Sequence, residues 1–308
     1  MTLASIVITT RCRRQDTLRA VASCFAQDIP GLEVIVFDDA SGDGTAESIQ
    51  AAFPKARVIA LTNRSGLIEN RNRGFREARG KYVFSLDDDS YFSRSDIVSS
   101  IAALLERDPT IGAVAIPFVE PRKRRSLSSL ARPLKARPGD ELSSYVACAC
   151  AIRRDAALAI GGYRTFYVRQ HEEPDFCLRL RAAGSRIVYG DSGYIVHTVN
   201  PRRDPKRISF YGVRNLILFE MLNSPLCFLP FRLVSSIVGI LSYRFSWSTL
   251  RLKLHAVGAG ILESVRRRSE RRPVAIQVYR EYRRLPGHGP EDWQGDVPAS
   301  CHETRVAA

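Results

Sequence analysis

Short apolar runs rich in β-formers alternate with segments of helical periodicity along the first 120 residues, and this alternation constrains the fold more than any other feature. Residues 5–10, 33–37, 57–61, 81–86 and 111–118 read as strands. Between them, Leu18, Val21, Ala22 and Phe25 mark one helix and Ala46, Ile49 and Phe53 a second. Residues 67–79 form a third helix, stopped by Gly80, and Ser95 is the expected N-cap of a fourth carrying Ile97, Ile101, Leu104 and Leu105. Strands that take turns with helices imply an α/β fold, a mostly parallel sheet with helices on both faces.

Two of these strands end in acids: Asp38-Asp39 after the second and Asp87-Asp88-Asp89 after the fourth. An isolated acidic triplet is most often a solvated turn. In a parallel sheet, however, both ends fall on the same edge, where open α/β sheets bind ligands. The first strand adds Thr9, Thr10, Arg11 and Arg13 to that edge. Paired carboxylates there can hold a hard divalent cation that bridges phosphate oxygens. Cations and carboxylates together suit a nucleotide diphosphate bound with its metal.

The 308 residues suffice for one large domain with an appendage, and 46 basic against 32 acidic residues give a net charge of +14. Such a balance points to nucleic acid, an anionic membrane surface or a phosphorylated ligand. The seven cysteines form no C-x-x-C pair; Cys148 and Cys150 are the closest. They read as buried thiols of a reducing cytosol rather than a disulfide frame or a zinc site. The N-terminal apolar run, residues 3–8, is too short for a signal peptide and is followed by Arg11, Arg13 and Arg14. The run from His171 to Asp175 does not make H-E-x-x-H, so zinc hydrolysis is not supported.

Five blocks in order resemble family 2 glycosyltransferases, inverting enzymes with the nucleotide-sugar fold called GT-A. They are residues 6–13 (IVITTRCR), 34–45 (VIVFDDASGDGT), 63–74 (NRSGLIENRNRG) with 86–89 (LDDD), then Gly161-Gly162-Tyr163, and 171–184 (HEEPDFCLRLRAAG) with 194–197 (YIVH). The resemblance spans roughly residues 4–225. Arg11 and Cys12 stand where the family usually has an aromatic residue and Asn, and Glu172-Glu173 where it often has Glu-Asp.

The resemblance implies a metal-dependent transfer of a sugar from a nucleotide-diphosphate donor to a glycan or lipid-linked acceptor, in the synthesis of cell-surface polysaccharide or glycoconjugate. Asp38 or Asp39 would hold base or ribose, with Thr9, Arg11 and Arg13 nearby. Asn63, Gly66 and Arg71 would line the same cleft; Arg71 would meet phosphate or lie exposed on its helix. Asp87, Asp88 and Asp89 correspond to the D-x-D motif, with Asp89 expected on a Mg2+ or Mn2+ ion, Asp87 on metal or ribose, and His197 completing the metal shell. The general base is expected to be Glu173, with Glu172 second, and Asp175 to cap the helix or orient a neighbour.

Beyond His197 the pattern changes. Residues 206–222 read as a helix, and residues 224–243 as an apolar stretch interrupted by Pro225, Pro230 and Arg232. Residues 264–284 hold eight Arg and two Glu, and residues 122–137 seven basic residues and no acid, read as a mobile loop. The expected organisation is a catalytic domain over 1–223, a helical, apolar and basic appendage over 224–285, and a disordered tail over 286–308. The appendage is expected to lie on an anionic membrane, peripheral on the cytoplasmic inner face; a bilayer span or a core helix are the other readings of 224–243.

Two other functions fit parts of the pattern. A nucleotidyltransferase would also use a parallel sheet, acids and a metal, but residues 9–14 lack the glycines of its phosphate loop. A nucleic-acid-binding protein fits only the charge, since the basic clusters lack interleaved aromatics, and no nucleic-acid partner is expected.

Overall fold

The structure, a computed structural model, describes residues 3–121, 136–198, 204–243 and 246–291. Strands β1 (Ala4–Thr10), β2 (Glu33–Asp38), β3 (Arg57–Ala60), β4 (Tyr82–Asp87), β6 (Ile111–Ala115), β8 (Ala149–Arg153) and β9 (Arg186–Tyr189) form one seven-stranded sheet in the order β3-β2-β1-β4-β8-β6-β9. A second sheet of three short strands, β5 (Ser90–Phe92), β10 (Ile195–His197) and β7 (Phe118–Val119), has the order β5-β10-β7.

The alternation of strand and helix holds through the first half, with α1 (Arg14–Phe25), α2 (Thr45–Ala52), α3 (Leu67–Glu77) and α4 (Ile97–Arg107). Period-two packing shows why both faces are covered. Ile6 and Ile8 enter one core with Val34 and Val36, whereas Val7 enters the other with Ile35 and Phe37. The α3 helix approaches β1 closely: a Cβ on Gly74 would lie 2.6 Å from a Val7 methyl carbon.

As expected, the sheet is mostly parallel; β8 alone among its seven strands runs antiparallel, to both β4 and β6. One expectation about the sheet needs correction. The expected strand over 111–118 divides, because Pro117 has no N–H to continue a ladder. Ile116 still donates to the Ala149 carbonyl, and the chain beyond it passes to the second sheet as β7.

The second half holds α5 (Arg154–Ala159), α6 (Glu172–Ala182), α7 (Pro205–Asn223), α8 (Leu229–Ser242), α9 (Trp247–Arg266) and α10 (Ile276–Arg284). Helix α7 starts where Asp204 accepts from the Lys206 and Arg207 amides and Pro205 opens the first turn. Helix α9 packs on α7 closely enough that a Cβ on Gly260 would meet the Arg214 carbonyl at 2.6 Å. Val274, Tyr279 and Tyr282 are buried in the same core as α6 and α7, so the end of the expected appendage is built into the catalytic core.

Part of the expected tail is packed as well. Pro286 accepts from the Ser143 amide, His288 Nδ1 accepts from the Val146 amide, and the Glu291 amide donates to Phe118. The basic run 122–135 and residues 292–308, including Cys301, lie outside the described residues. Among the described cysteines, Cys24, Cys148, Cys150 and Cys177 are buried thiols as expected, whereas Cys12 and Cys227 are exposed.

Candidate active site

The parallel registers Thr10 with Asp38 and Thr9 with Asp87 bring the ends of β1, β2 and β4 to one edge. A cleft of about 870 Å³ opens there, within the range of small-molecule sites. Thr9, Arg11, Arg13, Asp39, Gly66, Arg71, Asp87, Asp88, Asp89, Glu172, Glu173 and His197 line it. Twelve of the fifteen residues expected from the sequence therefore share one cavity.

The other three are held elsewhere. Asp38 accepts from the amide and hydroxyl of Ser41 and closes its own turn. Asn63 is exposed, and its neighbour Arg64 lines the cleft instead. The Asp175 carboxylate is fully buried and bonded by Arg164 Nη1 at 2.8 Å, Arg179 Nε at 2.9 Å, Asn223 Nδ2 at 2.9 Å and the Tyr167 hydroxyl at 3.2 Å. These donors tie α6 to α7 through Asp175, which does not line the cleft.

Asp39 is held in place by donors from the loop before α3 and from α3 itself. Its carboxylate accepts from the Ser65 amide at 2.7 Å, the Gly66 amide at 3.2 Å and Asn70 Nδ2 at 3.2 Å. Burial raises its pKa, but these donors outweigh it and hold the group below the usual carboxylate range.

Arg71 is neither exposed nor free. Its guanidinium is 2.8 Å from Asp87 and 3.4 Å from Glu172, with only 7% of the side chain exposed. Replacing Arg71 by Met is expected to cost about 3–5 kcal/mol, because two carboxylates lose their buried counter-charge. The loss should be largest above neutral pH, where Glu172 must carry its charge. Urea unfolding across pH checks this, and adding Glu172→Gln should recover part of the loss.

Glu172 and Glu173 open α6 after His171, whose φ of +64° places it in the left-handed region, as are Val168 and Gln170 just before it. This strained approach is held by a side chain that sequence reasoning missed. Asn215 Nδ2 on α7 lies 2.8, 2.6 and 2.8 Å from the carbonyls of Tyr167, Arg169 and Gln170. Burial, and then the charge of Glu173, push Glu172 up to about 8 against the pull of Arg71. Burial also raises Glu173, whose carboxylate accepts from the Ala147 amide at 3.4 Å.

Two further acids follow β4. Arg13 Nη1 donates to Asp88 at 2.7 Å and to Asp89 at 2.9 Å. Burial pushes Asp88 up to about 7 even so. Pairing of His197 with Ser90 across β10 and β5 brings its imidazole beside these acids. Nε2 is 3.3 Å from Asp89 Oδ1 and Nδ1 is 3.2 Å from Glu120 Oε1. Glu120 follows β7 and carries no local signal in the sequence; only the second sheet brings it here. Asp87, Cys148 and His197 offer ligand atoms within 4.8 Å of one another. Metal bonds of about 2.0–2.6 Å set donors up to twice that far apart, so this group fits a divalent cation.

Comparison with known proteins adds the following. The profile of glycosyl transferase family 2 matches residues 5–161. A dolichol-phosphate mannosyltransferase of Mycosarcoma maydis is 34% identical over 139 residues, covering 41% of this chain and 47% of its own. The chain thus spans about half the length of that relative. Residues 1–349 of TarS from S. aureus in complex with UDP superpose with a TM-score of 0.64 at 18% identity, covering 87% of this chain and 82% of that one. A mannosyltransferase from Pyrobaculum calidifontis in complex with GDP-Man and Mn2+ gives a TM-score of 0.57 at 17% identity, covering 91% and 78%. The mixed sheet with its helices is consistent with the GT-A expectation.

Proposed function

Because the chain belongs to glycosyl transferase family 2, we propose that it moves a sugar from a nucleotide-diphosphate donor to a hydroxyl of a glycan or lipid-linked acceptor, with inversion at the anomeric carbon. The observation that carries this reading is one cleft holding both a cation-type cluster, Asp87, Cys148 and His197 with Asp89 against the imidazole, and an acid pair, Glu172 and Glu173. The first suits a diphosphate; the second suits an acceptor hydroxyl. The lipid-linked acceptor is supported by the name of the dolichol-phosphate relative.

Asp39, with Thr9 and Arg11 beside it, would take the nucleoside end of the donor. Asp87, Asp89 and His197 would hold Mg2+ or Mn2+, which when bound neutralises charge on the departing diphosphate. Glu173 removes the acceptor proton as the acceptor oxygen bonds to the anomeric carbon. The bond from that carbon to the diphosphate oxygen breaks on the opposite face, and the electron pair leaves with the nucleotide. Arg71 holds Asp87 and Glu172 in register, linking the two halves of the site. A thermal-shift screen of nucleoside diphosphates with Mn2+ tests this: a nucleotide that stabilises only with the cation supports it. No stabilisation by any nucleoside diphosphate would overturn it.

The same reading includes peripheral attachment to the anionic inner face of the cell membrane. No helix among the described residues is long and apolar enough to cross a bilayer. Eleven of the thirteen large apolar side chains exposed among the described residues fall within 226–276. On α8, Phe231, Val234 and Val238 share one face at helical spacing, exposed at 70%, 62% and 60%, and Trp247 follows at 77%. Arg251 on the next helix and Arg266 to Arg268 at and just past its end supply positive charge. Arg232 is no interruption of this face: it pairs with the fully buried Glu220 of α7 at 3.0 Å and ties α8 down.

Removing everything after residue 223 would strip Tyr279 and Tyr282 from the core, so point substitutions make the better test. Phe231→Ser with Trp247→Ser should weaken sedimentation with anionic vesicles by roughly tenfold or more, as each buried large apolar side chain contributes about 1.5–3 kcal/mol. Added salt should weaken it further. Unchanged vesicle binding by this variant would mean that the α8 face meets something other than lipid.

A further inference from the structure

Cys148 plays no part in the proton transfer, yet it sits against the cation-type cluster. It directly precedes β8, and the antiparallel register of Leu86 with Ala149 carries it back to the strand-end edge beside Asp87. The side chain is buried at 1% exposure and still lines the cleft. Its sulfur lies with an Asp87 oxygen and a His197 nitrogen inside the 4.8 Å group. Two of the other three buried thiols described are spent on carbonyls: Cys24 donates to the Ala20 carbonyl at 3.2 Å, and Cys150 faces the Ala147 carbonyl at 3.8 Å.

We propose that Cys148 is a thiolate ligand of the divalent cation, together with Asp87 and His197. This rests on the reading of the cleft as a cation site. Carboxylates suit Mg2+ and Mn2+ and an imidazole suits borderline transition metals; an added thiolate shifts the preference further toward ions such as Co2+, Zn2+ and Cd2+. On binding, the sulfur–hydrogen bond breaks, the sulfur keeps the electron pair for the metal, and the proton passes to solvent. The consequence is a metal preference set by this one side chain rather than by the acidic triplet.

The test is an anaerobic Co2+ titration of the full chain with Cys12, Cys227 and Cys301 replaced by Ser. A thiolate-to-cobalt charge-transfer band should grow to saturation and be absent in C148S and C148A, with thermal unfolding confirming that both variants fold. In C148S, Cd2+ affinity by calorimetry should fall about tenfold or more while Mg2+ affinity is unchanged. Co2+ binding without the band, which needs no variant at Cys148 to observe, would overturn the cysteine assignment and leave the cation site standing. A band that survives in C148S would do the same. Failure of Co2+, Mn2+ and Cd2+ to bind at all would overturn both.

Discussion

Replacing Glu173 by Gln is expected to lower kcat by about 10²–10⁴-fold with nucleotide affinity unchanged. Gln keeps the shape of the side chain and can still meet the Ala147 amide, but it cannot take a proton. Glu173 is only partly buried and lines the cleft, while Glu172 beside it is spent on Arg71. The pH profile should carry the same signature. Both carboxyls are raised, first by burial and for Glu172 next by the neighbouring charge, so the base is lost on the acid side at a higher pH than an ordinary Glu of about 4.3. Wild-type kcat/KM should fall as pH drops through this raised range. An acid limb at ordinary carboxylate pH, or a product of retained configuration by NMR, would rule out Glu173 acting as base in a single displacement.

The second large effect belongs to Asp89 and His197. Asp89→Asn and His197→Ala should each reduce turnover on the order of 10²–10³-fold, the equivalent of several kcal/mol of lost charge stabilisation. Both should weaken Mn2+ binding measured by calorimetry. Asp89 is 2% exposed and placed between Arg13 and His197, so it cannot move to compensate. Asn keeps the volume and one acceptor, which separates lost charge from lost packing. Full activity of wild-type protein in excess chelator would sink the metal dependence for both residues at once.

Most of the first half of the fold was legible in the sequence, because strand and helix periodicities are local. The boundaries of β1, β2, β4 and α3 follow from a few neighbouring residues, and parallel pairing then sends the acids after β2 and β4 to one edge. What each acid does there was not legible. Adjacent residues at a strand end face opposite sides, so Asp38 turns into its own loop while Asp39, on the side of Ile35 and Phe37, meets α3. Three acids in one turn of α6 point three ways around the helix: Glu172 to Arg71, Glu173 to the cleft, Asp175 to Arg164 and Asn223. That choice belongs to the packing of α7 against α6.

The sequence by itself determined that acids and cations meet at the edge of an α/β sheet, since apolar periodicity alone sets which residues end the strands. Only the tertiary structure decided that β8 runs antiparallel and returns Cys148 to that edge, and that Glu120 reaches His197. It also decided that Arg71 is a buried counter-charge and that Tyr279 and Tyr282 belong to the core. The physical reason is range. Each of these contacts joins residues far apart in the chain, and nothing in the local spacing around either partner depends on the other.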